Sequence, residues 1–186
     1  MPSRSIVRLA VATETALILG AWALARLLKL DVAFGHPERD IFIGAAAALI
    51  LALVNHTLLT RLPSSWIVNG VRAVYHELLL PVFGRLDATA IVVIGLAAGI
   101  GEEWLFRGVL QPAIGWIAAS IAFGLAHVGG RFMVPFGVWA SAMGAALGSL
   151  AILTGGITAP VVAHGLYDML ALAYIRRAAL ERGIGQ

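Results

Sequence analysis

Residues 99–112, GIGEEWLFRGVLQP, set the adjacent carboxylates Glu102 and Glu103 and the guanidinium of Arg107 at the end of an otherwise apolar run. A charge at bilayer depth costs roughly 2.5 to 3.5 kcal/mol on insertion scales, so an ionisable residue there points to function. In a helix, side chains four apart share a face, while neighbours in sequence point about 100° apart. Glu103 and Arg107 should therefore meet, in the favourable order, and neutralise one another where neither could be solvated alone. Glu102 is left aimed at a different neighbour. A carboxylate in low dielectric without an ion-pair partner can act as a general base or acid near neutrality. A purely structural staple between helices accounts for Glu103 and Arg107 but not for the additional Glu102.

The rest of the chain agrees with a membrane setting. Of 186 residues, 60% are hydrophobic and only 12% charged, which excludes an ordinary soluble domain. Spanning takes about 20 apolar residues per helix. Several such runs follow one another closely, so the expected fold is all-α, a polytopic transmembrane helix bundle forming one integral membrane domain over 1–186. Cysteine is absent, which excludes disulfides, Cys-ligated zinc and thiol catalysis. The formal charge of +3 is modest and its arginines lie at span ends, so no nucleic-acid partner is expected.

The expected spans are 6–28, 41–60, 88–110, 113–128, 132–153 and 157–175. Glu14, inside the first, could snorkel or pair with Arg8 and is assigned no chemistry. His56, near the end of the second, reads as an interfacial or interhelical hydrogen-bonding residue. Pro112 fits the turn that ends the glutamate-bearing span. In the fifth span Gly137, Ser141, Gly144, Ala145 and Gly148 recur at three- or four-residue spacing, which allows close helix approach in lipid. Residues 64–86 carry Ile67, Val71, Val74 and Leu78 at helical spacing, suiting an interfacial amphipathic helix with His76 and Glu77 on its wet face. A seventh span is the competing reading. The positive-inside rule prefers six. With six, Arg4, Arg8, Arg61, Arg72, Arg85, Arg131, Arg176, Arg177 and Arg182 share the N-terminal side, against Arg26, Lys29 and Arg39 opposite. Both termini are then cytoplasmic, with the cell membrane the expected location.

Beyond the central run, the ionisable groups at membrane depth in the second half are His127, His164 and Asp168. His164 and Asp168 are four apart, so the carboxylate could set the imidazole's tautomer. A glutamate and a histidine converging on one water would give hydrolysis, with the second histidine and its partner holding the developing oxyanion.

GEEWLFRGVLQP, IAFGLAHV and TAPVVAHGLYDML, in that order on apolar helices, resemble the three motifs of the CAAX protease and bacteriocin-processing family, the type II CAAX prenyl endopeptidases. Those motifs are a glutamate pair with an arginine four after the second, a Phe four before a His, and a His four before an Asp or Asn. The resemblance covers roughly 88–175, the expected protease core. It implies an intramembrane endopeptidase in which Glu102 and His127 activate water and His164, with the residue at 168, stabilises the oxyanion. Glu103 and Arg107 would support the site, and Phe123 would serve as packing or substrate contact. Asp168 stands where eukaryotic relatives tend to carry Asn. It would either be protonated or serve only to orient His164.

Glu102, His127 and His164 could also form a two-His, one-Glu zinc site with water in the open position. No HExxH helix accompanies them, and metal-free water activation, with no cofactor, is the favoured expectation. The resemblance implies membrane lipid as the surroundings and a peptide or protein substrate, which could be a prenylated CAAX tail, a bacteriocin leader or a sorting tail. The competing class is a non-catalytic transport or proton-relay component whose polar residues line an aqueous path.

Overall fold

The computed structural model describes residues 3–183. Its helices are α1 (Ser3–Leu28), α2 (Pro37–Thr60), α3 (Trp66–Val74), α4 (Leu80–Phe83), α5 (Ala88–Glu103), α6 (Gln111–Ile114), α7 (Trp116–Ala126), α8 (Val134–Thr154) and α9 (Thr158–Glu181). π-helical segments join α3 to α4 (Tyr75–Leu79) and α5 to α6 (Trp104–Leu110), and a 3-10 turn, Arg131–Met133, precedes α8. Apart from one isolated antiparallel bridge between Phe34 and Gly156, the regular structure of the described residues is helical.

Four stretches among the described residues are long and apolar enough to cross a membrane: Arg4–Leu28, Pro37–Thr60, Ala88–Ile114 and Arg131–Thr154. Six were expected, so the span count is corrected to about four on this measure. The reasons are physical. With 11 residues α7 reaches only about 16 Å, half a hydrocarbon core. α9 has the length, at 24 residues, but His164, Asp168, Arg176, Arg177 and Glu181 dilute its apolar character. Within residues 64–86 helix runs through α3, the π segment and α4, and it is not among the four. It buries Val68, Val71 and Val74 and leaves His76 and Glu77 exposed, as an amphipathic helix should.

Large apolar side chains such as Leu27, Phe42, Leu53, Leu125 and Leu153 face outward, while small residues and buried charges face in. So many exposed large apolar side chains suit lipid surroundings, where helices associate through small residues and polar contacts.

α9 is the central rod, packed between α2 and α5, while α7 pairs with α8 and α1 lies along α5. Glycines set these approaches. A Cβ at Gly99 would fall 2.8 Å from both Gly165 N and Val161 O, and one at Gly95 2.8 Å from Gly165 O, so α5 and α9 touch backbone to backbone. The small-residue face of α8 does the same for α7: a Cβ at Gly137 would lie 3.0 Å from Gly124 O, and one at Gly144 3.1 Å from Phe123 Cδ1.

Two expected boundaries move. Pro112 does not end the glutamate helix. The π segment shifts the hydrogen-bond register, with Gln111 N–H donating to Phe106 O, and helix continues to Ile114. Gly115, at φ +89°, makes the turn into α7. The second helix, expected from residue 41, enters at Pro37, and the segment before it pins the start of α9. Ile157 N–H donates to Ala33 O (3.0 Å), Thr158 Oγ1 to Phe34 O (2.6 Å) and Arg39 Nη2 to Thr154 O (3.2 Å). Asp40 is buried and accepts from His36 N–H at 2.7 Å. At the other end of α2, Arg72 donates to the carbonyls of Leu58, Leu59 and Leu62, satisfying the last turn.

Candidate active site

The end of α5 and the π segment after it carry the first part of the site. Glu103 is fully buried, and its Oε1 accepts from Arg107 Nη1 at 3.0 Å and from His164 Nδ1 at 2.8 Å. Arg107 Nη2 donates to Gly144 O on α8 at 2.8 Å, and its guanidinium lies 4.5 Å from the centroid of the Phe123 ring on α7. One buried ion pair therefore ties together α5, α7, α8 and α9. Single π turns inside α-helices recur at functional sites, and this one begins directly after the glutamate pair.

The paired-face reading of Glu103 and Arg107 matches this geometry. The expected partner of His164 does not. Its tautomer was expected to be set by Asp168, whose Oδ2 lies 3.7 Å from Nε2, whereas the 2.8 Å hydrogen bond runs from Nδ1 to Glu103. The reason is tertiary. The glycine contact of α5 with α9 presses Glu103 against the residue just before Gly165, closer than the next turn of α9 brings Asp168. A carboxylate oxygen now faces each ring nitrogen: Nδ1–H donates to Glu103, while Asp168 stands off Nε2 beyond hydrogen-bond reach.

His127 closes α7 as its C-terminal cap residue. Its Nδ1 lies 2.8 Å from Phe123 O, and because a carbonyl only accepts, Nδ1 carries the proton and Nε2 faces Glu102 Oε2 at 3.8 Å. Phe123, 3% exposed, stands between the imidazoles, its ring centroid 4.7 Å from that of His127 and 5.7 Å from that of His164. His127, His164 and Asp168 form the polar end of a cavity of about 760 Å³, whose apolar walls include Tyr75, Leu79, Phe136, Trp139 and Met143. Glu102 does not line that cavity and reaches it through His127. His56 lies at the cavity wall, edge-on to Tyr174.

The zinc set can be tested on the same geometry. Among the described residues no three His, Asp or Glu side chains are gathered closely enough to hold a metal ion. The donors Glu102, His127 and His164 do not converge on one point in this arrangement.

One residue of the site escaped sequence reading. Glu14, expected to snorkel or pair with Arg8, is instead only 9% exposed and packed on Gly101 of α5, while Arg8 is exposed. The available signal was its place in the stripe Glu14, Ala21, Ala25, which is the buried face of α1.

Residues 84–170 match the model of a family described as Rce1-like, type II CAAX prenyl endopeptidase. This segment contains all three motifs and every residue of the constellation except Glu14. An uncharacterized protein of Bacillus subtilis, YpbD, is 28% identical over 146 residues, 77% of this chain and 73% of the relative. No solved structure matches. The family match supports an intramembrane protease of the CAAX type, a hydrolase acting on peptide or protein substrates. It agrees with the long apolar helices, which by length and composition suit an integral membrane protein.

Proposed function

We propose that this chain, similar over residues 84–170 to the type II CAAX prenyl endopeptidases, hydrolyses a peptide bond with a water activated by Glu102 and His127. The observation that supports it is the 3.8 Å separation of Glu102 Oε2 and His127 Nε2. That is too long for a direct hydrogen bond and suits one water seated about 2.8 Å from both.

Glu102 takes a proton from this water as its oxygen attacks the scissile carbonyl carbon. His164, braced on Glu103, presents Nε2–H towards the cavity and donates to the oxyanion as it forms. Asp168 Oδ2, 3.7 Å from that nitrogen, lies beyond direct hydrogen-bond reach and leaves Nε2–H free for the oxyanion. Collapse of the tetrahedral intermediate breaks the C–N bond, and the proton taken by Glu102 passes to the leaving amine. The products are a carboxylic acid and an amine, balanced by one water. Arg107 neutralises Glu103 so that the brace holds at low dielectric. No cofactor takes part.

The cavity's apolar walls suit a substrate that enters from lipid. A prenylated CAAX tail is the reading favoured by the family, with a bacteriocin leader or a sorting tail as the other sources. In this reading both termini lie in the cytoplasm, the side that the excess of arginines favours, with the cell membrane as the location.

The test is purified protein in liposomes with a fluorescence-quenched peptide ending in a farnesylated CAAX sequence. Wild type should cleave it and Glu102→Gln should not, with both proteins equally folded. Absence of cleavage by wild type, with a proton-linked flux in its place, would instead favour the transport reading.

A further inference from the structure

Glutamate 14 is the one acidic side chain at this centre that faces no basic side chain within ion-pair distance among the described residues. Glu103 has Arg107 and His164, Asp168 faces His164, and Glu102 faces His127. Glu102 on α5 and His164 and Asp168 on α9 are close enough for their charges to act on it. Arg107, on the π segment that also packs on α1, is engaged by Glu103.

Its position is built, not incidental. Along α1 the buried residues are Glu14, Ala21 and Ala25, spaced seven and four apart and hence on one face. Ala21 and Ala25 pack on Val109 with Trp104 and Leu105. About two turns towards the N-terminus from Ala21, the same face sets Glu14 on Gly101. A Cβ at Gly101 would lie 3.1 Å from both Cβ and carbonyl O of Glu14 and would strike its carboxyl oxygen Oε2. Only a residue without a side chain lets Glu14 sit there, and the next residue is Glu102.

Oε2 of Glu14 and Oε2 of Glu102 are both buried without a hydrogen-bond partner. Burying such a group without a partner is unfavourable, and an alanine like those at 21 and 25 would complete the packing stripe at no such cost. Stability therefore does not explain Glu14.

We propose that Glu14 is a positioning residue of the hydrolytic centre, its carboxyl seated on Gly101 so that a shared water links it to Glu102 and orients the carboxylate that deprotonates the nucleophile. This rests on the proteolytic reading above. Glu14 acts through Glu102 and does not touch the substrate.

The experiment compares wild type, Glu14→Gln, Glu14→Asp and Glu102→Gln in liposomes, using the farnesylated quenched peptide and a thermal unfolding scan of each protein. Glu14→Gln should lower kcat about 10²-fold at unchanged KM, the scale of a misoriented catalytic group. Glu14→Asp should recover part of that loss, and Glu14→Gln should unfold no earlier than wild type. Wild-type kcat in Glu14→Gln, while Glu102→Gln is inactive, overturns the role of Glu14 and leaves proteolysis standing. A kcat loss that tracks lost folded protein and is not recovered by Asp overturns it as well. A wild-type protein that cleaves nothing sinks both readings.

Discussion

Replacing Glu103 with Gln keeps the side chain's shape and removes its charge. Arg107, 4% exposed and 3.0 Å from the lost carboxylate, is then a buried cation without a counterion. At that separation and an effective dielectric near 20, the Coulomb attraction is about 5 kcal/mol, and breaking one side of a buried pair typically costs about 3 to 5 kcal/mol. For a chain of this size, that lowers the apparent Tm by on the order of 10 °C. The double variant Glu103→Leu/Arg107→Met removes both charges and fills similar volume, so most of the thermal loss should return. Activity should not return, because His164 Nδ1 has then lost the carboxylate that orients it. The assay is paired: thermal unfolding in detergent, and peptide cleavage in liposomes. Recovery of cleavage in the double variant would refute the assignment of Glu103 as the brace of His164. A wild-type Tm in the single variant would refute the buried-pair argument.

Glu102→Gln should reduce kcat by at least about 10²-fold with little change in Tm, read by cleavage of the quenched peptide. Gly99→Ala places a methyl 2.8 Å from backbone atoms of Gly165 and Val161. It should force α5 from α9, cost about 1 to 3 kcal/mol and reduce cleavage by separating Glu103 from His164, which differs from a purely thermal defect when measured below the unfolding range. Ala171→Trp puts bulk into the 760 Å³ cavity and should raise KM more than it lowers kcat, as steady-state kinetics on long- and short-tailed peptides would show. Cleavage by wild type should survive a strong zinc chelator, and activity that appears only on adding zinc would overturn the metal-free mechanism.

The buried ion pair was legible because it is local: a helix sets the i,i+4 distance, and Glu103 and Arg107 meet as their spacing requires. The three motifs could likewise be placed on separate apolar helices, and an all-helical membrane bundle follows from composition and run length. Span number was less legible. Hydropathy along the chain does not separate a full crossing from the 11 residues of α7, nor does it account for the polar load that α9 carries as a packed interior rod.

What the sequence determined by itself was therefore the fold class, the glutamate–arginine contact and the identity of the polar groups that need partners at membrane depth. Which partner each received was decided only in three dimensions. His164 was sequence-adjacent to Asp168 by one helical turn, yet glycine-mediated contact of α5 with α9 gave it Glu103. Glu14 looked like a stray charge near a helix start until the missing side chain at Gly101 admitted it beside Glu102. Spacing along one helix is fixed by 3.6 residues per turn, whereas spacing between helices depends on how closely their backbones approach. That approach is set by small residues on both partners at once, which no single stretch of chain displays.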